Sequence, residues 1–166
     1  MPTGRGVALT VAAASAICLL LSACGSGRTR GPAVVHVSPP HPDPAAARVC
    51  AALGRTLPSR LGGHARRTTS PASPLTAAWG DPPVTLRCGV PRPAALGLAA
   101  ELTVVNGISW FPEPAGSATP SRFTEVGRGA YVEVTVPARY APAGPILVAM
   151  SNAIAATIPA KRGGGI

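Results

Sequence analysis

Val84-Thr85-Leu86-Arg87-Cys88-Gly89-Val90 alternates strictly, with Val84, Leu86, Cys88 and Val90 on one face and Thr85, Arg87 and Gly89 on the other. A period of two over seven residues describes a strand buried on one side, with Cys88 pointing inward. Upstream, Asp43-Pro44 places a capping residue before a proline at the first helical position, and Ala46, Val49, Cys50, Leu53 and Leu57 follow as one apolar stripe. Pro58 ends that helix, and Arg48 and Arg55 take its outer side. Cys50 lies on the stripe, so two separate periodicities direct both thiols to the place where helix meets sheet. A disulfide is the expected reading, with two free thiols or a metal pair as alternatives. No second Cys or His stands two to four residues from either cysteine, as a zinc site would require.

Downstream, residues 102–105 and 108–111 flank Asn106-Gly107, the strongest short-range hairpin signal. Residues 122–126 and 130–137 surround Gly127-Arg128-Gly129 as a second hairpin, with Val132, Val134 and Val136 inward and Tyr131, Glu133 and Thr135 outward. Pro145 opens a second helix to Ile158 on the stripe Leu147, Met150, Ile154 and Ile158, and Pro159 stops it. Residues 62–74 read as loop, while Ala33-Val34-Val35-His36-Val37 has the makings of an edge strand. The order helix, strand, hairpin, hairpin, helix predicts an α+β two-layer sandwich: a mostly antiparallel sheet of four to five strands with two helices on one face.

Composition narrows the class. Of 166 residues, 13% are charged, and Gly and Pro number 19 and 20, which argues against a charged disordered tail and a long coiled coil. Aromatic residues at 4% are too few for a stacking platform on single-stranded nucleic acid. The formal net charge is +9, carried by fourteen Arg and one Lys, Lys161. A solvated basic face accounts for most of this; binding of an envelope polyanion is the sharper alternative.

The first six residues carry one charge, Arg5, and precede the apolar run Val7 to Leu21, the order of an export signal. Fifteen helical residues reach roughly 22 Å, short of about 30 Å of hydrocarbon. The run ends in Leu21-Ser22-Ala23-Cys24, which resembles a bacterial lipobox. That resemblance implies lipidation of Cys24 and cleavage before it; the alternative is an ordinary secretory signal that leaves a free thiol. Cys18 then departs with the signal, and Cys50 and Cys88 remain in an oxidising compartment, where a disulfide persists. The expected organisation is a signal peptide (1–23), a lipidated N-terminus with a Pro/Gly-rich tether (24–43), one domain (44–159) and a basic tail (160–166). Arg28, Arg30, Lys161 and Arg162 are placed to rest against anionic headgroups.

The phrases Ala77-Ala78-Trp79-Gly80-Asp81-Pro82-Pro83, Leu86-Arg87-Cys88-Gly89-Val90 and Val105-Asn106-Gly107-Ile108-Ser109-Trp110-Phe111, in this order, resemble a family of small actinobacterial lipoproteins that carry a domain of unknown function. The resemblance spans about residues 50–158. It implies export, a lipobox and pairing of the helix cysteine with that of the Arg-Cys-Gly phrase, and it brings no activity or catalytic residue.

Catalytic motifs are missing: there is no Gly-x-Ser-x-Gly elbow, His-Glu-x-x-His pair or phosphate loop. His36, His41 and His64 fall in the tether and a loop, and no metal or cofactor is expected. Glu125 and Glu133 are expected to face each other or an arginine across the second hairpin. Trp79-Gly80-Asp81 reads either as a recognition loop, with Trp79 exposed beside Arg66, Arg67 and Arg87, or as a packed corner in which Asp81 fixes the turn. The sequence therefore points to a non-catalytic binding or assembly module, held on the extracytoplasmic face of the cell membrane and meeting an envelope protein or anionic polymer. The alternative is an envelope hydrolase or transferase using Asp81 or Glu101 with these arginines on a polyanionic substrate. The export signal argues against nucleic acid as a partner.

Overall fold

Helix α1, Pro44–Thr56, starts where the sequence places it. The Asp43 carboxylate accepts hydrogen bonds from the backbone N–H of Ala45 (2.8 Å) and Ala46 (3.0 Å). These two bonds, together with the positive helix end, hold its pKa below the usual carboxylate value. Ala46, Cys50 and Leu53 form the buried face, and the chain leaves helical geometry at Leu57 ahead of Pro58. The computed structural model describes residues 34–114, 117, 119 and 121–161, all within one unit, Pro32–Ile166. The signal peptide, Cys24, Arg28, Arg30 and Arg162 lie outside the described residues.

The sheet has eight strands, more than the four to five expected, in the order β2-β3-β5-β6-β10-β9-β8-β7. They are β2 (Arg60–Leu61), β3 (His64–Arg67), β5 (Thr76–Trp79), β6 (Val84–Val90), β7 (Thr103–Val105), β8 (Ile108–Glu113), β9 (Arg122–Val126) and β10 (Tyr131–Thr135), and every neighbouring pair is antiparallel. Two more strands, β1 (Val35–His36) and β4 (Thr69–Ser70), pair in parallel beside the sheet. The stretch expected as loop, 62–74, thus holds β3 and β4. Its sequence hides them because His64-Ala65-Arg66-Arg67 has no apolar alternation and lies near the sheet edge, where polar residues are tolerated.

Strands β6 and β10 join two meanders at the centre. Val132 stands opposite Cys88 and Val134 opposite Leu86, so the inward faces of both strands meet. Asn106 (φ 48°) and Gly107 (φ 73°) both adopt left-handed geometry, as a two-residue primed turn between β7 and β8 demands. Helix α2, Gly144–Thr157, follows a 3-10 turn at Ala138–Tyr140 and buries Ile146, Leu147, Met150, Ser151 and Ile154. Side chains of both helices and of one sheet face, among them Trp79, Leu86, Cys88, Trp110, Val132 and Val134, form a single core. The Trp110 Nε1–H donates to Ser151 Oγ at 3.0 Å, which satisfies two polar groups inside it. Cys50 and Cys88 are joined, with Cα atoms 5.5 Å apart, and tie α1 to β6.

The other sheet face carries a charged ladder. Arg87 Nη1 meets Glu133 Oε1 at 3.1 Å, and Arg122 Nε lies 3.3 Å from Glu113 Oε2 and 4.0 Å from Glu133 Oε2. A small apolar cluster of Leu96, Phe111 and Val126 lies on the same side.

The N-terminal segment is bound to the domain ahead of residue 44, where the domain was expected to begin. Val35 N–H donates to Thr68 O (2.9 Å), Val37 N–H to Ser70 O (3.1 Å), and Arg87 Nε to Ser38 O (3.0 Å). Pro42 then lies against Gly89, which has φ +87°; a Cβ there would come within 2.6 Å of the proline ring. Gly89→Ala is therefore expected to lower stability by about 1–3 kcal/mol and to loosen residues 38–42. A melting curve and limited proteolysis near Ser38 check this. Lys161, expected in a basic tail, is likewise held, its N–H donating to Gly127 O at 2.9 Å.

Candidate functional site

The five residues singled out around Trp79 do not converge. Trp79 is wholly buried, because its register opposite Val84 places it on the helix-facing side, and its Nε1–H donates to Pro58 O at 2.9 Å. It is a packed corner and not an exposed anchor. Arg66 shares its side of the sheet, with the guanidinium 5.7 Å from the indole centroid, and also donates to Leu57 O. Arg67 lies on the opposite side and donates to Gly80 O at 2.7 Å, just before exposed Asp81. Arg87, on the adjacent strand β6, faces the other side of the sheet from Trp79 and is bonded to Glu133 and Ser38. Glu101 precedes β7, at the far end of the sheet from β3.

A different group of cations does converge. A groove of about 650 Å³ runs between the segment 39–43 and the ends of β6 and β10, and Arg87, Arg92, Arg128 and Lys161 line it with His41 and Tyr131. Asp43 is the one carboxylate among the lining residues, and it is committed to the start of α1. One wall is stiff because Pro39, Pro40 and Pro42 fix its backbone. The other is built where the chain end returns to the β9–β10 turn: Gly129 N–H donates to Pro159 O at 2.9 Å, and Arg128 pairs with Ala160 as an isolated bridge. The Arg128 guanidinium donates to Ile158 O. Lys161 Nζ donates to the Tyr131 hydroxyl at 3.2 Å and lies 4.5 Å from the ring centroid. Arg92 is exposed. Forked guanidinium donors and an ammonium around one hollow suit a phosphate-type anion, since charge-assisted bonds to such oxygens are the strong ones.

Next to this wall is the most unusual side chain of the fold. Glu125 is 0% exposed, and neither carboxyl oxygen has a hydrogen-bond partner among the described groups. Its register opposite Val132 and Trp110 turns it toward the helices, whereas Glu133 faces the ladder on the other side. The two acids therefore do not meet: Glu133 faces Arg87 and Arg122, the other arrangement the sequence allows, and Glu125 turns inward. Burial raises the Glu125 pKa from 4.5 to about 7; Arg128 and then Lys161 oppose this, and the Arg128 backbone N–H adds a weaker pull short of hydrogen-bond geometry.

Sequence reasoning placed Lys161 in the tail and Arg128 in a turn and missed their meeting. The only local hint was that Phe123 and Glu125 share one strand parity. Among the described residues, no three His, Cys, Asp or Glu side chains gather where they would hold a metal ion, and no helix is long and apolar enough to cross a membrane.

No curated protein and no solved structure matches the chain. A family model described as "Protein of unknown function (DUF3515)" matches residues 7–163, which include every residue that lines the groove. The chain belongs to the DUF3515 family.

Proposed function

We propose that the protein is a lipid-anchored module of the cell envelope, a two-layer sandwich on the extracytoplasmic face of the membrane, which binds an anionic ligand and does not catalyse a reaction. The observation that carries the binding reading is the convergence of Arg92, Arg128 and Lys161, beside an Arg87 that is paired with Glu133, on one groove whose single lining carboxylate, Asp43, is already engaged by a helix end. Support for the location comes from the apolar run ending in Leu21-Ser22-Ala23-Cys24 and from a disulfide, which persists in an oxidising compartment. The phrases that resemble small actinobacterial lipoproteins agree with both. In this reading Cys24 takes the lipid.

Two measurements test this reading. Fatty-acid labelling in cells should mark the wild type and not Cys24→Ser; equal labelling contradicts the anchor. For the groove, inorganic polyphosphate is the probe. Arg92→Glu with Lys161→Glu should weaken its binding about tenfold or more and flatten the salt dependence, since each charge-assisted bond is worth roughly 1.5–3 kcal/mol. Unchanged affinity removes the groove as the anion site.

A further inference from the structure

The connection from β6 to β7, residues 91–102, begins in the groove and ends at the open edge of the sheet. Pro91 and Arg92 line the groove, while Leu96 is buried with Phe111 and Val126 on the helix-free face. Two backbone bonds fold the loop, Leu96 N–H to Pro93 O at 3.1 Å and Ala100 N–H to Gly97 O at 3.2 Å. Within the second turn Leu98 stands 99% exposed, a large apolar side chain held in water at the tip of the loop. Val104, 66% exposed, occupies the same face on the edge strand β7, opposite Ser109.

The loop that carries this apolar tip starts among cations. Tyr131 links the Leu96 cluster to the groove, and Lys161 bonds to its hydroxyl; Arg92 is on the loop itself. The acids of this face are Glu101 on the returning arm of the loop and Glu113 and Glu133, which are paired with Arg122 and Arg87; Asp43, in the groove, caps α1. An apolar tip bordered by cations matches the layering of a bilayer interface, where acyl chains lie just beneath anionic phosphates.

We propose that this rim is a membrane-docking surface: Leu98 enters the interfacial layer of an anionic bilayer while Arg92 and Lys161 engage lipid phosphates at the mouth of the groove. The anionic group of the functional reading is then a lipid headgroup of the membrane that carries the anchor. The inference rests on the anchored, anion-binding reading above.

The test uses the processed, acylated protein reconstituted in vesicles. Cys24 is occupied by lipid and Cys50 and Cys88 by each other, so Leu98→Cys and, on α2, Val148→Cys each offer one thiol for an environment-sensitive fluorophore. Both labelled proteins are first matched to wild type by melting. In vesicles containing phosphatidylglycerol, the label at 98 should brighten several-fold and be quenched by doxyl lipids, and the label at 148 should remain aqueous. Phosphatidylcholine vesicles, or Arg92→Glu with Lys161→Glu, should abolish the gain at 98. An aqueous signal at 98 on anionic vesicles overturns the proposal and leaves a soluble polyanion or a protein as the occupant. Quenching at 98 that ignores lipid charge overturns the phosphate contacts. Protein that fails to float with the vesicles refutes the anchor itself, which separates the two failures.

Discussion

The Cys50→Ala, Cys88→Ala double variant is expected to melt roughly 10–20 °C below the wild type. The bond closes a separation of 38 residues, and the loss of unfolded-chain entropy on closing such a loop is worth about 4 kcal/mol. Both cysteines are almost fully buried, at 0% and 1% exposure, between the cap-stabilised helix and the central strand. Their bond is the one covalent tie between the helix layer and the sheet among the described residues. A domain of this size has only about 5–15 kcal/mol of stability, so the variant should also be far more sensitive to proteolysis. Thermal melting followed by circular dichroism checks the effect. A shift of only two or three degrees would mean that packing of Leu53, Leu86 and Val132 holds the layers together without the link.

Glu125→Gln should remove a pH dependence. Between pH 4.5, where the unfolded chain releases this proton, and about 7, where the folded protein does, the native state binds the extra proton. Stability at this group is therefore full below pH 4.5, falls as pH rises through that window, and is level above it. The loss is about 3 kcal/mol, an order-of-magnitude figure from about 1.36 kcal/mol per pH unit. Glutamine cannot ionise, so the variant should lose this slope and gain stability relative to wild type as pH goes from 5 to 8. Melting both proteins at intervals across that range isolates the residue, because all other titrating groups are shared. Parallel curves would show that Glu125 ionises normally.

The sequence was most legible where one periodicity met one clear boundary. Asp43-Pro44 and the stripe through Cys50 located α1, strict alternation located β6 and turned Cys88 inward, and Asn106-Gly107 located the first hairpin. The half of the sheet from β2 to β5 was hidden because its strands are two to four residues long and consist of segments such as His64-Ala65-Arg66-Arg67 and Thr76-Ala77-Ala78-Trp79. Alanine and arginine carry little strand preference, and the burial of all four residues of β5 comes from neighbours on both sides. Glu125 was misplaced because Thr124 and Val126 compete with Phe123 and Glu125 as the inward set, and only the register against β8 and β10 decides between them. The groove was not legible at all. Its cations come from positions 87, 92, 128 and 161, which meet only because β6 lies beside β10 and the chain end returns to the turn at Gly127.

The central claim, that the protein works through this groove, is tested most directly by hydrogen exchange of the processed protein with and without inorganic polyphosphate. We predict slowed exchange in peptides that cover residues 87–92 and 127–131 and the chain near Lys161. Protection centred instead on residues 64–81, around Arg66, Arg67 and Asp81, or no protection anywhere, would contradict it.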